Sequence, residues 1–259
     1  MSYFSSSTPK LPSGYRLLRM ETVDSTNAEA RRRALAGEPG PLWIWSLRQS
    51  QGRGRGGREW VSLYGNLFAS LLIRLNCPLQ VAGQLALLAG VITHDTIAKL
   101  IVYEGRSELL LKWPNDVLLS EEKVAGMLLE NVGNPTGGGS VVVIGTGVNL
   151  ASHPEDTPQP AVSLAAYGLT VTPAQALEVL ASTTQEWLQR WGEGSCFPTV
   201  RRAWLDRAGP AGRALRVRIR GEEAEGRYAG LDADGALRFL ADDGTEHRIM
   251  AGDVFFSRT

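Results

Sequence analysis

Lysine, cysteine and histidine are all scarce in this chain of 259 residues. Its two cysteines, Cys77 and Cys196, are too few for a disulfide framework and lack metal-ligand spacing. They read as buried or free thiols of a reducing, cytoplasmic setting. The three histidines, His94, His153 and His247, are scattered and form no catalytic constellation, so each is expected to be structural or superficial. There is no excess charge of either sign, with 27 Lys plus Arg against 27 Asp plus Glu. That balance removes the general electrostatic ground for a DNA-binding protein or a polybasic membrane anchor. No apolar run approaches the ~18 uninterrupted residues of a membrane span. The longest, Val81 to Val102, is broken by Gln84, His94, Asp95 and Lys99 and is expected to be a buried helix. Residues 1–14 are Ser/Pro-rich without an apolar core, which excludes a signal peptide and predicts a flexible N-terminus. Only four of the 27 basic residues are lysines (Lys10, Lys99, Lys112 and Lys123), so 23 are arginines. In a chain that defaults to arginine, each lysine invites a reason.

What is present has the composition of a globular protein, 43% hydrophobic and 21% charged. Alternation predicts a strand over Arg16 to Val23, and Asp24, Ser25 and Thr26 are helix-capping residues before a helix over Asn27 to Ala36. Strands are predicted at Pro41 to Leu47, Asn66 to Arg74, Leu109 to Trp113, Lys123 to Asn131 and Ser140 to Val148. A Gly-rich turn is expected between the last two, over Gly133 to Gly139. Helices are predicted at Pro173 to Trp191 and Phe197 to Arg207. From Arg213 onward, glycines at 221, 226, 230, 235 and 244 punctuate four or five short strands, the spacing of a small β barrel. The fold class is α+β, with a mixed-sheet domain over residues 15–210 and a β domain over 211–259.

Four clusters carry chemistry. Arg48 to Glu59 contains no apolar residue and interleaves Gly52, Gly54, Gly56 and Gly57 with Arg53, Arg55 and Arg58. The spacing Gly52-x-Gly54-x-x-Gly57 fits a dinucleotide fingerprint, but no amphipathic helix follows to hold a pyrophosphate, and no P-loop occurs anywhere. A solvated loop, a nucleic-acid arm or an anion-gripping active-site loop would each suit it. Glycines that let backbone N–H groups approach an anion, beside forked guanidinium donors, favour the last. In the second cluster, Lys112-Trp113-Pro114-Asn115-Asp116 precedes Lys123-Val124-Ala125-Gly126, joined by an apparent hairpin at Val117 to Glu122. Pairing about that turn would bring two ammonium groups to one pocket. Asp24-Ser25-Thr26-Asn27 is a helix cap that could also read a polar small molecule. Gly145-Thr146-Gly147-Val148-Asn149 closes an apolar strand where glycine permits close backbone approach.

Taken in order, VDSTN (Val23 to Asn27), QGRGR..R.W (Gln51 to Trp60), KWPND (Lys112 to Asp116), KVAGMLLE (Lys123 to Glu130) and G.GVN (Gly145 to Asn149) resemble the biotin–protein ligases. The resemblance implies a catalytic domain related to class II aminoacyl-tRNA synthetases and a C-terminal SH3-like barrel. It implies a two-step reaction. ATP, with Mg²⁺, and biotin give biotinyl-5′-adenylate and pyrophosphate, and the adenylate then acylates one lysine of a biotin carboxyl carrier domain. No tightly bound prosthetic group is expected, and no resident metal ligand is assigned.

By the same resemblance, Ser25, Thr26 and Gln49 would hydrogen-bond the ureido head of biotin, with Asn27 also in the biotin site, and such a polar pocket rejects analogues lacking those groups. Gly52, Arg53 and Gly126 would line the biotin pocket. Lys123 would contact the biotin carboxylate and then the acyl carbonyl. Lys112 would stabilise charge at the α-phosphate. Arg55, Arg58, Trp60, Asn115 and Asn149 would hold the nucleotide, with Trp60 stacking on adenine and Arg55 gripping the adenylate against hydrolysis. Asp116 would support a lysine or Mg²⁺ rather than act as a base. Gly56 and Glu59 stand where the family commonly has basic residues, so this loop is less cationic. About fifteen residues precede the first strand, too few for the DNA-binding domain that some members carry, which points to the monofunctional form. The family also implies a homodimer through a sheet edge, with Ser140 to Ile144 as the candidate strand. The rival readings are a lipoate–protein ligase, disfavoured by the GRGR and KWPND runs together, and an RNA- or protein-binding module, disfavoured by neutral charge and an Arg run without aromatics.

Overall fold

The computed structural model describes residues 8–101, 108–133, 139–219, 222–250 and 252–256. The first half of the expected flexible N-terminus, Val102, Gly221 and the middle of the Gly133 to Gly139 turn lie outside the described residues. A seven-stranded sheet is built from β1 (Arg16–Val23), β2 (Leu42–Gln49), β3 (Leu67–Leu75), β4 (Leu109–Lys112), β5 (Asp116–Leu119), β6 (Glu122–Asn131) and β7 (Ser140–Val148). Its order is β1-β2-β3-β7-β6-β5-β4. Only β1 and β2 run parallel, so the sheet is mixed as expected. The central strands β3 (LFASLLIRL) and β7 (SVVVIGTGV) are apolar along almost their whole length because both faces of the sheet are covered.

Helix α1 (Thr26–Leu35) covers one face, packing Ala30 and Ala34 on Ile44, Leu72 and Val143. It starts where predicted, with Ser25 as N-cap, Glu29 in its first turn and Arg32 and Arg33 in its last. The other face carries α3 (Leu85–Leu100), α4 (Pro173–Trp191) and α5 (Phe197–Leu205), which enclose Trp43, Leu88, Trp191 and Trp204. A reciprocal capping box between Thr172 and Gln175 starts α4. The predicted Val81 to Val102 helix divides into a single turn, α2 (Leu79–Ala82), and α3, broken at Gly83. Together Leu79–Leu100 are long and apolar enough to cross a membrane, but most of the stretch is buried inside the protein. Asp95 of α3 joins the three helices. Its carboxylate accepts from Arg207 Nε (2.7 Å) and Nη2 (3.0 Å) just beyond α5, and from Trp187 Nε1 on α4 (3.0 Å).

Two expectations are corrected. The Val117 to Glu122 segment is not a simple turn between two strands. Val117 to Leu119 belong to β5, which pairs with β4 on one side and β6 on the other. The candidate dimer strand Ser140 to Ile144 lies in β7, whose two edges are hydrogen-bonded to β3 and β6. An interior strand has no free N–H and C=O row for a second copy, so that pairing is excluded. Beyond Phe197, β8 (Ala214–Ile219), β9 (Glu222–Leu231), β10 (Leu237–Ala241), β11 (Glu246–Ile249) and β12 (Asp253–Phe256) form a second sheet. Its order is β11-β10-β9-β8-β12, all antiparallel, and among the described residues no pair closes it into the expected barrel.

Candidate active site

One cavity of about 210 Å³ gathers the ends of β1, β2 and β7, the start of β6, the β4–β5 turn and the Arg/Gly loop. Its floor is made by missing side chains. A Cβ on Gly147 would come within 2.5 Å of the Trp60 ring, and one on Gly126 within 2.8 Å. These two glycines, facing each other across β6 and β7, seat the indole flat against the sheet. Gly145 gives way in the same manner to Asn27, whose Oδ1 would lie 2.1 Å from a Cβ there.

Beside this floor is a chain of neutral polar groups. Gln49 Oε1 accepts from the Thr26 backbone N–H (2.8 Å) and from Thr26 Oγ1 (3.1 Å), and Gln49 Nε2 donates to Ser62 Oγ (3.2 Å). Ser70 Oγ lies 2.8 Å from Thr26 Oγ1 and 2.6 Å from Asn27 Oδ1. Asn27 Nδ2 is spent on the Leu128 carbonyl (3.2 Å) and the Glu130 carboxylate (2.7 Å). Its donors therefore hold β6, while Ser25 and Thr26, at the helix N-terminus, border the cavity with hydroxyl and backbone groups.

Opposite stands a three-membered ion cluster. Asp116 Oδ2 is 3.1 Å from Lys112 Nζ and its Oδ1 is 2.6 Å from Lys123 Nζ. The order β4-β5-β6 produces this arrangement, since Asp116 pairs with Lys112 on one side while Lys123 enters from the other. Burial pushes the Asp116 carboxyl up, but the charges of Lys123 and Lys112 outweigh it and hold it below the usual carboxylate range. Burial pushes the Lys112 ammonium down, with Asp116 acting against that change. Both carboxylate oxygens contact a lysine, so Asp116 is a partner of Lys112 and Lys123. The Lys123 ammonium also lies 5.3 Å from the centroid of the Trp60 ring. Lys112 Nζ donates in addition to Gln159 Oε1, from a Pro-rich segment laced to β6 by Lys123 N–H to Pro160 O (2.8 Å) and Val162 N–H to Lys123 O (3.0 Å).

The Arg/Gly loop closes the cavity from above. A single 3₁₀ turn at Arg55–Gly57 shapes its tip, and Gly56 has φ 63°, a backbone state that favours glycine. Arg53 Nη2 reaches Glu130 at 3.4 Å. Arg58 Nη2 donates to Asp253 Oδ1 (2.8 Å), and Arg55 reaches the Gly252 carbonyl (3.3 Å) and Asn115 Oδ1 (3.4 Å). Burial pushes the Arg55 guanidinium down and the Asp253 charge opposes it; an arginine remains cationic regardless.

Of the sequence-predicted residues, Ser25, Thr26, Asn27, Gln49, Arg53, Arg55, Arg58, Trp60, Lys112, Asn115, Asp116, Lys123, Gly126 and Asn149 all border this cavity. Gly52 does not. It lies where the two limbs of the loop cross, with room for a Cβ denied by the Trp60 carbonyl at 2.3 Å. Asn149 is a strut whose Nδ2 donates to Val162 O (3.1 Å) and Lys123 O (3.4 Å). Sequence reasoning missed Gln159, Asp253 and Phe255, all of which border the cavity, together with Glu130 and Ser70 behind its wall. Ser70 sits fully buried within the apolar run Leu67 to Ile73, and an isolated serine of that kind is a usable signal. Gln159 and Asp253 give none, because their proximity arises from contacts between distant segments. Among the described residues, no group of three or more His, Cys, Asp and Glu side chains is placed to hold a metal ion. Cys77 is buried, Cys196 exposed, and both are free.

The profile of the Biotin/lipoate A/B protein ligase family matches residues 20–149, and that of the Biotin protein ligase C terminal domain matches residues 211–257. The chain is 38% identical over 243 residues to a biotin–[acetyl-CoA-carboxylase] ligase of Paracoccus denitrificans, covering 90% of this chain and 98% of that one. It is 31% identical over 252 residues to the enzyme of the same name from Mycobacterium tuberculosis, covering 95% and 91%. The fold matches that of a biotin protein ligase from Aquifex aeolicus in complex with biotin and ATP. The TM-score is 0.75 at 24% identity, over 93% of this chain and 99% of that one.

Proposed function

Since the chain belongs to the biotin/lipoate A/B protein ligase family, we infer that it is a biotin–protein ligase, which activates biotin with ATP and transfers it to a lysine of a biotin carboxyl carrier domain. The observation that carries this beyond family membership is the pairing in one cavity of a neutral hydrogen-bonding wall with a lysine cluster. The wall, Ser25, Thr26 and Gln49, suits an uncharged ureido ring. The lysines suit a carboxylate and a phosphate that must meet.

In the first step the biotin carboxylate attacks the α-phosphorus and pyrophosphate leaves. A carboxylate already ionised at neutral pH needs no base. Lys123, above the Trp60 ring, holds the carboxylate and then the acyl oxygen, while buried Lys112 meets the charge developing on the α-phosphate. Arg55, Arg58, Asn115 and Trp60 offer the nucleotide donors and an aromatic surface. Mg²⁺ would accompany ATP as part of the substrate, where it would offset phosphate charge. In the second step the carrier lysine attacks the acyl carbonyl and AMP leaves.

The same proposal includes a synthetase-like catalytic domain over residues 15–210, an SH3-like domain over 211–259 and a cytoplasmic place of action. A homodimer paired through a sheet edge would need an open one, such as β1 or the end of β6 beyond its pairing with β5. Sedimentation with and without the adenylate tests it, and a monomer in both states rejects it. For the activity itself, ATP–pyrophosphate exchange is measured with biotin and then with lipoate. Exchange with biotin alone is expected. Exchange with lipoate alone would favour the sister activity, and exchange with neither would reject adenylation.

A further inference from the structure

If the ligase assignment holds, the enzyme makes an amine-reactive mixed anhydride beside two of its own four lysines. Lys112 and Lys123 stand on the two oxygens of one carboxylate, at 3.1 Å and 2.6 Å, with Asp116 between them. Among the described residues, no other acid lies within ion-pair distance of either ammonium. The remaining charges that act on the cluster are cationic, Arg55 and Arg58 from the loop, and Asp253 of β12 is already paired with Arg58. Gln159, the other contact of Lys112, is neutral.

We propose that Asp116 protects the enzyme from its own intermediate: it ties Lys112 and Lys123 into one ion cluster, so that neither presents a free amine to the acyl carbonyl. The need is physical. Lys112 is only 5% exposed, and burial favours the neutral amine. Without the carboxylate, the buried Lys112 ammonium would face the charges of Lys123 and Arg58 with no counter-charge and would shed its proton to solvent. The resulting amine would form an N–C bond with the acyl carbon. The acyl C–O bond to phosphate would break, AMP would leave with that electron pair, and the second amine proton would pass to water. The enzyme would then carry a biotinyl amide on a lysine it needs. Asp116 is thus a positioning residue that acts through two lysines.

Chemically prepared biotinyl-5′-adenylate, supplied without carrier to the wild type and to Asp116→Asn, tests this by peptide mass spectrometry from about pH 6 to about pH 9, the range over which a freed buried amine deprotonates. The variant should carry biotin on Lys112 or Lys123 at least ~10-fold above the wild type, increasingly with pH, while Lys99 is labelled alike in both. Asp116→Glu should restore protection. Equal labelling of Lys112 and Lys123 in variant and wild type would overturn the proposal. A second measurement needs no variant. Under a small acylating reagent, Lys123 of the folded wild type should react at least ~10-fold more slowly than Lys10, whose exposed side chain forms no ion pair among the described residues, although the Lys123 side chain is itself 26% exposed. Equal reactivity would also overturn it. A wild type that cannot pass the supplied adenylate to a carrier domain removes the ligase assignment. One that can, alongside an unlabelled Asp116→Asn, removes only the role of Asp116.

Discussion

Gly147 and Gly126 work by having no side chain. The Trp60 indole rests where their Cβ atoms would be, 2.5 Å and 2.8 Å from the ring, so the glycines fix the height of the pocket wall. Gly147→Ala must push the ring by about 1 Å to reach ordinary carbon–carbon contact. Because both substrates meet beside Trp60, biotin-dependent pyrophosphate exchange should fall by roughly 10²-fold. A thermal melt should show that the fold survives. The G.GVN motif was readable as a place of close backbone approach, but what approaches was not, because Trp60 and Gly147 are distant in sequence. The two lysines were legible for a different reason: in an arginine-rich chain their rarity marked them. That Asp116 stands between them follows from β5, a strand of only four residues which the sequence pattern merges with its turns.

At the scale of elements, α3 depends on Asp95. Burial pushes its carboxyl up, but the bonds from His94 and Arg207 prevail and hold it down at about 2. A carboxyl lowered in the folded state stabilises the fold above its unfolded value, near pH ~4, and that contribution disappears as pH falls through about 2. Asp95→Asn should therefore cost about 2 kcal/mol at neutral pH, and its deficit relative to the wild type should shrink between about pH 4 and about pH 2. Urea unfolding across that range measures both effects. The Arg/Gly loop is the second element with a testable role. With Arg55 on Gly252 O and Arg58 on Asp253, it is tied to β12 without any ligand. Arg55→Gly should release adenylate and biotinylate bystander lysines in a protein mixture, as seen by mass spectrometry; an unchanged labelling pattern would show that the loop does not retain the intermediate. Caps and periodicity made α1 and α4 legible nearly to the residue. The break at Gly83 was not, because a single glycine in an apolar run also fits a continuous helix.

For the molecule as a whole, strand order was the least legible feature and the most consequential. Ser140 to Ile144 reads equally well as an edge or a centre, and only the pairing of β7 with both β3 and β6 places it inside the sheet. The terminal sheet was foreseen as a unit, yet its last strand proves to be a wall of the cavity, with Asp253 and Phe255 bordering it. Neutral net charge also takes on meaning at this scale: the loop cations gather where an anionic intermediate would form, with Arg53 and Arg58 balanced on the spot by Glu130 and Asp253. The most direct test of the account is to incubate the purified protein with biotin, ATP, Mg²⁺ and a biotin carboxyl carrier domain, and to weigh the carrier intact. The account predicts a gain of one biotinyl group on a single lysine, with AMP formed in equal amount. A carrier that stays unmodified while biotin and ATP are present, or one that accepts lipoyl instead, would contradict it.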